Sequence, residues 1–296
     1  MIGFPSTKQV DSRHMPDRLK TVRTVETLRA QITQWRRQDM RTALVPTMGA
    51  LHSGHLRLVE MGLRTADRVV VTIFVNPQQF APGEDLDAYP RTEKADVEKL
   101  RAAGAHLVYA PALLEMYPEG FCTSVSLAGP AKAGLEDNHR PHFFDGVATV
   151  VAKLFIAAGC DYAMFGEKDF QQLKVVTKMA RDLSIPTGVI GVPTVRADDG
   201  LALSSRNEYL SDKERAIAPL LHQTLQQVAT NVRAGKNISR SCTAARKRLK
   251  KAGFKTDYLD VREAETLAPV KSVSEAELRI LAACWLGKTR LIDNIA

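Results

Sequence analysis

The chain of 296 residues is long enough for two domains of ordinary size, and its 45% hydrophobic and 25% charged residues are typical of a globular protein in water. No apolar run approaches the roughly 20 residues of a membrane-spanning helix, no signal peptide is expected at the N-terminus, and four scattered cysteines without a CxxC pair argue against disulfides and a zinc site, which predicts a cytoplasmic protein. The net charge of +8 fits nucleic acid or small anionic ligands as partners.

Residues 1–20 mix Pro, Ser, Asp and Arg and are expected to form a loose extension. From there to residue 207, short apolar runs alternate with helical patterns. The patterns predict strands at 43–45, 69–75, 106–109, 162–165 and 189–195, and helices at 56–65, 93–103, 147–158 and 171–182. Strands that alternate with helices predict an α/β domain, built on a parallel sheet with helices on both faces.

The pattern changes near residue 208. Ser211 and Glu214 have the spacing of a capping box, which predicts the start of a helix that runs to about residue 232. A second helix is predicted at 241–252, followed by strands at 257–261, 278–285 and 289–292. This order of elements predicts a smaller α+β domain at the C-terminus.

Polar residues that directly follow a strand are the candidates for a site, because ligands of parallel sheets bind beyond the carboxyl ends of the strands. The first strand leads into PTMGALHSGH at 46–55, where glycines precede a helix start. Unpaired N–H groups and the helix dipole make such a start an anion site, and His52 and His55 add donors for a phosphate. Later strands are followed by NPQQF at 76–80, GEKD at 166–169 and LSSRN at 203–207. These clusters are expected to converge on one rim as a nucleotide site.

Each cluster also has an ordinary structural interpretation, which the sequence leaves open. His52 and His55 lack the glutamate and third ligand of an HExxH metal site, but they could cap their own helix. Lys168 is either a surface lysine or a point charge on phosphate oxygens, and residues 204–207 are either a turn or a ligand loop. Gln79, like Gln172, is a neutral donor and acceptor that suits a hydroxyl or amide substrate.

The absence of other motifs narrows the class of enzyme. The sequence contains no GxxxxGK[ST], no GxGxxG and no GxSxG, which disfavours kinases, dinucleotide-dependent dehydrogenases and hydrolases. A different adenylyltransferase with the same phosphate site is one alternative. Nucleic-acid binding through the basic run at 246–251 is another, but this run has no aromatic residue on which a base could stack. We therefore expect small-molecule partners, without nucleic acid or membrane.

Six segments of the chain, in this order, resemble the pantoate–β-alanine ligase family of the HIGH-motif nucleotidyltransferases, and the resemblance runs from about residue 22 to the C-terminus. The segments are VPTMGALHSGH at 45–55, IFVNPQQF at 73–80, YPRT at 89–92, FGEKDFQQL at 165–173, DGLALSSRN at 199–207 and RLIDN at 290–294. The histidine segment resembles the HIGH motif, and residues 204–206 resemble a variant of the KMSKS loop.

The resemblance implies a Rossmann-like catalytic domain at 21–207, which binds ATP and pantoate, a lid domain at 208–296 and a homodimer. It also implies a reaction: the ATP-dependent condensation of (R)-pantoate with β-alanine to pantothenate, a precursor of coenzyme A. In that reaction a pantoyl adenylate is the intermediate, Mg²⁺ takes part, and AMP and pyrophosphate are released.

The resemblance also implies roles for individual residues. His55, His52 and Lys168 are implied as catalytic, with His55 as the proton donor. Gln79 and Gln172, together with Asn76, are implied to bind pantoate and β-alanine, and Asp96 to provide a carboxylate for magnesium. The implied contacts of ATP are Met48, Gly49, Ala50, Leu51, His52, Ser53, Gly54, His55, Gly166, Glu167, Lys168, Asp169, Val195, Leu203, Ser204, Ser205 and Arg206.

One segment departs from the family pattern. Family members have Arg-Pro-x-His-Phe-x-Gly-Val, whereas residues 140–147 are RPHFFDGV. Phe143 therefore occupies the position of the family's histidine, and His142 lies one place earlier. Whether a histidine from this loop reaches the site is left open by the sequence.

Overall fold

The computed structural model describes residues 19–80, 86–87, 89–270 and 277–296. Within these residues, six strands form one parallel sheet in the order β1-β4-β3-β2-β5-β6. The strands are β1 Thr21–Val22, β2 Thr42–Thr47, β3 Arg68–Ile73, β4 Leu107–Tyr109, β5 Tyr162–Gly166 and β6 Gly188–Val192. The predicted α/β class is confirmed. The extension predicted for residues 1–20 lies outside the described residues, except for its last two.

Helices cover both faces of this sheet, because alternate side chains of each strand point to opposite faces. Leu44 of β2 belongs to an apolar cluster that includes residues of α1, α6 and α7, whereas Ala43 and Val45 belong to a cluster that includes residues of α2 and α3. The helices are α1 Val25–Arg36, α2 Ser53–Thr65, α3 Glu93–Ala102, α4 Leu113–Met116, α5 Glu136–His139, α6 Phe143–Ala158 and α7 Phe170–Asp182.

The strand order places a crevice at the carboxyl ends of β2 and β5. Strand β2 pairs with β3 on one side and with β5 on the other. The chain passes from β2 to β3 and β4, and it returns across the sheet to β5 and β6. Such a reversal of strand order is where ligands bind in open α/β sheets. The segments that follow β2 and β5 contain His52, His55 and Lys168, which the sequence offers as candidates for binding phosphate.

The C-terminal part combines three helices with an antiparallel sheet in the order β7-β8-β9. Its helices are α8 Asp212–Ile217, α9 Leu220–Arg233 and α10 Ile238–Lys251, and its strands are β7 Phe254–Glu263, β8 Leu278–Leu286 and β9 Thr289–Ile295. The single helix predicted from residue 211 to 232 is wrong, because Pro219 lacks an N–H group and separates α8 from α9. Among the described helices, none has both the length and the apolar character of a membrane crossing.

Candidate active site

The loop between β2 and α2 is held by a buried carboxylate. Gly49 and Ala50 have φ angles of +84° and +51°, a conformation that glycine adopts without strain and alanine rarely does. The carboxylate of Asp96 accepts hydrogen bonds from the N–H groups of Ala50 (2.9 Å) and Leu51 (2.8 Å) and from the Thr92 hydroxyl (3.0 Å). Asp96 therefore fixes the unusual turn that precedes the histidines.

The magnesium role implied for Asp96 is not retained. Its side chain is fully buried, both of its oxygens accept bonds from the protein, and it does not line the cleft described below. Its partners are the Thr92 hydroxyl and the backbone N–H groups of Ala50 and Leu51.

His52 and His55 cap the start of α2 and are thereby fixed in one tautomer. Nδ1 of His52 accepts from the N–H of Gly54 (3.1 Å), and Nδ1 of His55 accepts from the N–H of His52 (3.3 Å). An N–H group can only donate, so both Nδ1 atoms are unprotonated and each neutral ring carries its hydrogen on Nε2. The structural interpretation that the sequence left open is correct, and it leaves one donor on each ring for a ligand.

Gly54 is required by this arrangement. A Cβ atom at this position would lie 2.8 Å from Cε1 of His52, closer than side-chain atoms approach in proteins. The ring of His52 therefore packs directly on the backbone of the first turn of α2, where the helix dipole is positive.

Both histidines are neutral at physiological pH. Burial, followed by the charge of Lys168, lowers the pKa of His52 to about 4. Burial, followed by the charges of His52 and Lys168, lowers the pKa of His55 to about 3. The two rings are therefore hydrogen-bond donors through Nε2 and not acids.

We expect the free energy of unfolding to fall between pH 7 and pH 5, partly because of His55. In the unfolded chain this residue takes up a proton near pH 6.5, whereas in the folded chain it stays neutral down to a pKa of about 3. The unfolded state binds more protons over this interval, which destabilises the folded state by about 2 kcal/mol at pH 5.

Denaturant unfolding at pH 7 and pH 5 measures this loss. The His55→Gln variant should lose about 2 kcal/mol less than the parent on acidification. A His142→Gln variant is the matched control, because His142 is exposed, and it should behave like the parent. An equal loss in the parent and in His55→Gln would show that His55 is not a buried neutral histidine.

One cleft of about 720 Å³ brings the predicted phosphate groups together. His55 follows β2, Lys168 lies in the turn after β5, and Arg206 lies in the turn Ser205–Tyr209, which the Ser204 side chain caps (3.3 Å). Of the residues implied by the resemblance, the cleft is lined by Met48, His52, Gly54, His55, Asn76, Gln79, Gly166, Lys168, Asp169, Gln172, Val195, Leu203, Ser204, Ser205 and Arg206. Gly49, Ala50, Leu51, Ser53, Asp96 and Glu167 do not line it.

The amide of Gln79 has a fixed orientation in this cleft. Nδ2 of the buried Asn76 donates to Oε1 of Gln79 (3.0 Å) and to the carbonyl oxygen of Gly146 (3.2 Å), while its Oδ1 accepts from the Tyr117 hydroxyl (2.7 Å). Gln79 therefore keeps its NH₂ group for a ligand. Asn76 is almost fully buried, and its hydrogen bond holds the side chain of Gln79 in place.

The family model described as pantoate-beta-alanine ligase matches residues 20–296. The chain belongs to the pantoate–β-alanine ligase family. A pantothenate synthetase of Rhodopseudomonas palustris is 57% identical over 274 residues, which cover 93% of this chain and 97% of that protein.

Solved structures agree with this assignment. The crystal structure of pantothenate synthetase from Thermus thermophilus has a TM-score of 0.88 at 46% identity, covering 94% of this chain and 99% of that one. A pantoate–β-alanine ligase from Francisella tularensis, solved with β-γ ATP and β-alanine, has a TM-score of 0.78 at 30% identity, covering 94% and 97%. The family and the fold predicted from the sequence are confirmed.

Next to the segment that departs from the family pattern, a different histidine, His139 of α5, lines the cleft. Phe143 and His139 line the cleft, whereas His142 is exposed and does not. The guanidinium carbon of Arg140 lies 3.9 Å from the centre of the Phe143 ring, and its Nη2 donates to the carbonyl oxygen of Gln79 (2.8 Å). Phe143 therefore supports the Gln79 turn through Arg140. His139 was missed because no motif singled it out.

The His142→Ala variant is expected to keep kcat and KM for pantoate and ATP within twofold of the parent. His142 is exposed, lies outside the cleft and makes no side-chain bond to the start of α6. Steady-state kinetics check this expectation. A tenfold loss would mean that the displaced histidine enters the site during turnover.

The C-terminal sheet contributes polar groups that the sequence analysis did not single out. Arg290 of β9 pairs with Glu136 (2.7 Å) and with Asp257 of β7 (2.8 Å), and all three line the cleft. Asp293 of β9 pairs with Arg196, which follows β6. These contacts join parts of the chain that are distant in sequence. The sequence pointed to them only through the RLIDN segment at 290–294, which is part of the resemblance.

Proposed function

We propose that the chain condenses (R)-pantoate with β-alanine to pantothenate, at the cost of ATP. The observation that carries the proposal is the single cleft, at the carboxyl ends of β2 and β5, that His55, Lys168 and Arg206 share with Gln79 and Gln172. The three cationic or donor groups fit a triphosphate, and the two neutral amides fit a small hydroxy acid.

In the first step, a carboxylate oxygen of pantoate attacks the α-phosphorus of ATP, the bond to the bridging oxygen breaks, and pyrophosphate leaves. The protein accelerates this step by alignment and by stabilising charge on the phosphates. We assign Lys168 and Arg206 to the phosphate oxygens and the Nε2–H groups of His52 and His55 to the charge that develops near the α-phosphate. With a pKa of about 3, His55 donates a hydrogen bond and keeps its proton.

Magnesium enters this proposal as an ion carried by ATP. Among the described residues, no three His, Cys, Asp or Glu side chains form a metal site. Asp169 lines the cleft with a side chain that is 45% exposed, and one carboxylate plus phosphate oxygens is a usual ligand set for Mg²⁺. When bound, the ion would offset charge on the leaving pyrophosphate.

In the second step, the amine nitrogen of β-alanine attacks the acyl carbon of the pantoyl adenylate. The carbon–oxygen bond to the phosphate breaks, AMP leaves, and the nitrogen releases a proton. Water would hydrolyse the same intermediate, so the site must be covered. We assign residues 21–207 to the catalytic domain and 208–296 to a lid, since Tyr258 and Trp285 of the C-terminal sheet line the cleft.

Product analysis with each substrate left out in turn tests the proposed function. We expect AMP and pyrophosphate to form with ATP and pantoate, and pantothenate to form only when β-alanine is added. Release of ADP and phosphate would contradict an adenylate intermediate. Turnover with another acid and none with pantoate would favour a different adenylyltransferase.

We also propose a cytoplasmic homodimer. All four cysteines are free, which suits a reducing compartment. Helix α4 exposes two large apolar side chains, Leu113 (51%) and Leu114 (70%). Adjacent exposed apolar side chains form a surface that a second copy can cover. Light scattering should give twice the chain mass for the parent and the chain mass for Leu114→Asp.

A further inference from the structure

Asn294, near the end of the last strand, contacts the turn that carries Lys168. Its side chain is buried (3% exposed), and Nδ2 donates to the carbonyl oxygens of Glu167 (2.9 Å) and Lys168 (2.8 Å). Both amide hydrogens are therefore used on two consecutive residues of the turn. The remaining atom, Oδ1, accepts from Nε of Arg279 in β8 (2.7 Å), which prevents the amide from rotating.

Arg279 strengthens the same attachment. Its Nη2 donates to the carboxylate of Glu167 (3.0 Å), and its guanidinium carbon lies 4.2 Å from the centre of the Phe170 ring, at the start of α7. The turn between β5 and α7 is therefore held from the C-terminal sheet at its backbone, at one of its side chains and at the helix that follows it.

Asp293, the residue before Asn294, holds the loop that leads to Arg206 in a similar way. Asp293 forms a two-pronged pair with Arg196 (2.7 and 2.8 Å), and Arg196 also donates to the carbonyl oxygens of Gly200 (3.1 Å) and Asn294 (3.3 Å). Arg196 lies at the base of the loop that leads to Arg206. Asp293 and Asn294, two adjacent residues of β9, therefore hold the segments that carry Arg206 and Lys168.

We propose that Asn294 is a positioning residue for the adenylation step: it sets the position of the Lys168 backbone, so that the lysine is aligned only when the C-terminal sheet is docked. The inference rests on the proposed function. It gives the C-terminal domain a role in positioning Lys168, in addition to its role as a lid over the cleft. The two hydrogen bonds from Asn294 act on the backbone of the turn from which the Lys168 side chain extends, and a misplacement of about 1 Å in an active site costs up to about 10²-fold in rate.

A double-mutant cycle tests the proposal. The adenylation rate is measured as single-turnover formation of AMP from ATP and pantoate, without β-alanine, for the parent, Asn294→Ala, Lys168→Ala and the double variant. We expect Asn294→Ala to lower the rate constant about 10–100-fold, with KM for pantoate within twofold. In the Lys168→Ala background the same substitution should cost less than threefold, because the group that it positions is gone.

Two further variants separate positioning from general stability. Asn294→Asp keeps the volume of the side chain but replaces two donors by a carboxylate that faces two carbonyl oxygens, so it should lose at least as much rate and serves if the alanine variant is unfolded. Asn237→Ala removes the side chain that caps α10 in the same domain (2.9 Å to the N–H of Arg240). It should lower the melting temperature and leave the adenylation rate within twofold.

The outcomes are distinguishable. Equal losses from Asn294→Ala in both backgrounds, or a loss that appears only in KM for pantoate, would overturn the inference and leave the proposed function intact. A folded Asn294→Asp variant with the parent's rate would do the same. A Lys168→Ala variant with the parent's rate would overturn the role of Lys168 itself, and the inference with it.

Discussion

Replacing His55 by alanine is expected to slow the adenylation step about 10²–10³-fold, the range for the loss of one preorganised donor. His55 is half-buried at the cleft and its Nδ1 accepts from the N–H of His52, so Nε2–H is the group that it offers to the phosphate. Binding of ATP should change less, because Lys168 and Arg206 also contact the phosphates in the proposed complex. Single-turnover AMP formation measures the step directly.

His55→Asn is the matched control for this variant, because it separates the donor from the cap. An asparagine oxygen can accept from the N–H of His52 as Nδ1 does, but it leaves no donor at the distal position. We expect this variant to be as slow as His55→Ala while it melts closer to the parent. A rate within threefold of the parent for either variant would contradict the donor role, and full activity in His55→Asn alone would reduce His55 to a helix cap.

The second large effect is expected from Gly146→Ala, which should lower kcat/KM for pantoate about 10–100-fold. A Cβ atom on Gly146 would lie 2.1 Å from the carbonyl oxygen of Gln78, so the turn Pro77–Gln79 has to move. This turn carries Gln79, whose amide orientation also depends on the bond from Asn76 to the Gly146 carbonyl. KM for ATP should stay within threefold, because Lys168 and Arg206 lie on other turns of the chain.

Ala152→Gly is the control for the loss of stability in α6. It lies in the same buried helix but does not line the cleft, and it should cost about 1 kcal/mol through helix propensity. Steady-state kinetics and thermal melting of both variants separate the two effects. Equal increases in KM for pantoate and ATP in Gly146→Ala would mean that the helix, and not the Gln79 turn, had been disturbed.

Local patterns predicted much of the fold and several of the residues that share one cleft. Apolar runs that alternate with helical periodicity were sufficient for the parallel sheet, and that sheet necessarily brings the residues after β2 and β5 to one edge. The two-residue strand β1 and helix α1 were missed. A two-residue edge strand has no periodicity, and α1 spreads three buried residues over 12 positions.

Roles that depend on distant partners could not be predicted from sequence. Asp96 lies close to the site, but only the folded chain shows that its oxygens accept from Ala50 and Leu51. Asn294 is 126 positions away from Lys168, and no spacing rule connects them. In both cases a polar side chain binds two backbone groups of a segment that is distant in sequence, and no sequence motif marks such a contact.

Isotope transfer from pantoate is the measurement that tests the central claim most directly. Pantoate labelled with ¹⁸O in its carboxylate is turned over with ATP and β-alanine, and the nucleotide and pyrophosphate are analysed by mass spectrometry. If the cleft forms a pantoyl adenylate, one labelled oxygen appears in the phosphate of AMP and none in pyrophosphate. Label in inorganic phosphate, or AMP without label, would contradict an adenylate formed at His55, Lys168 and Arg206.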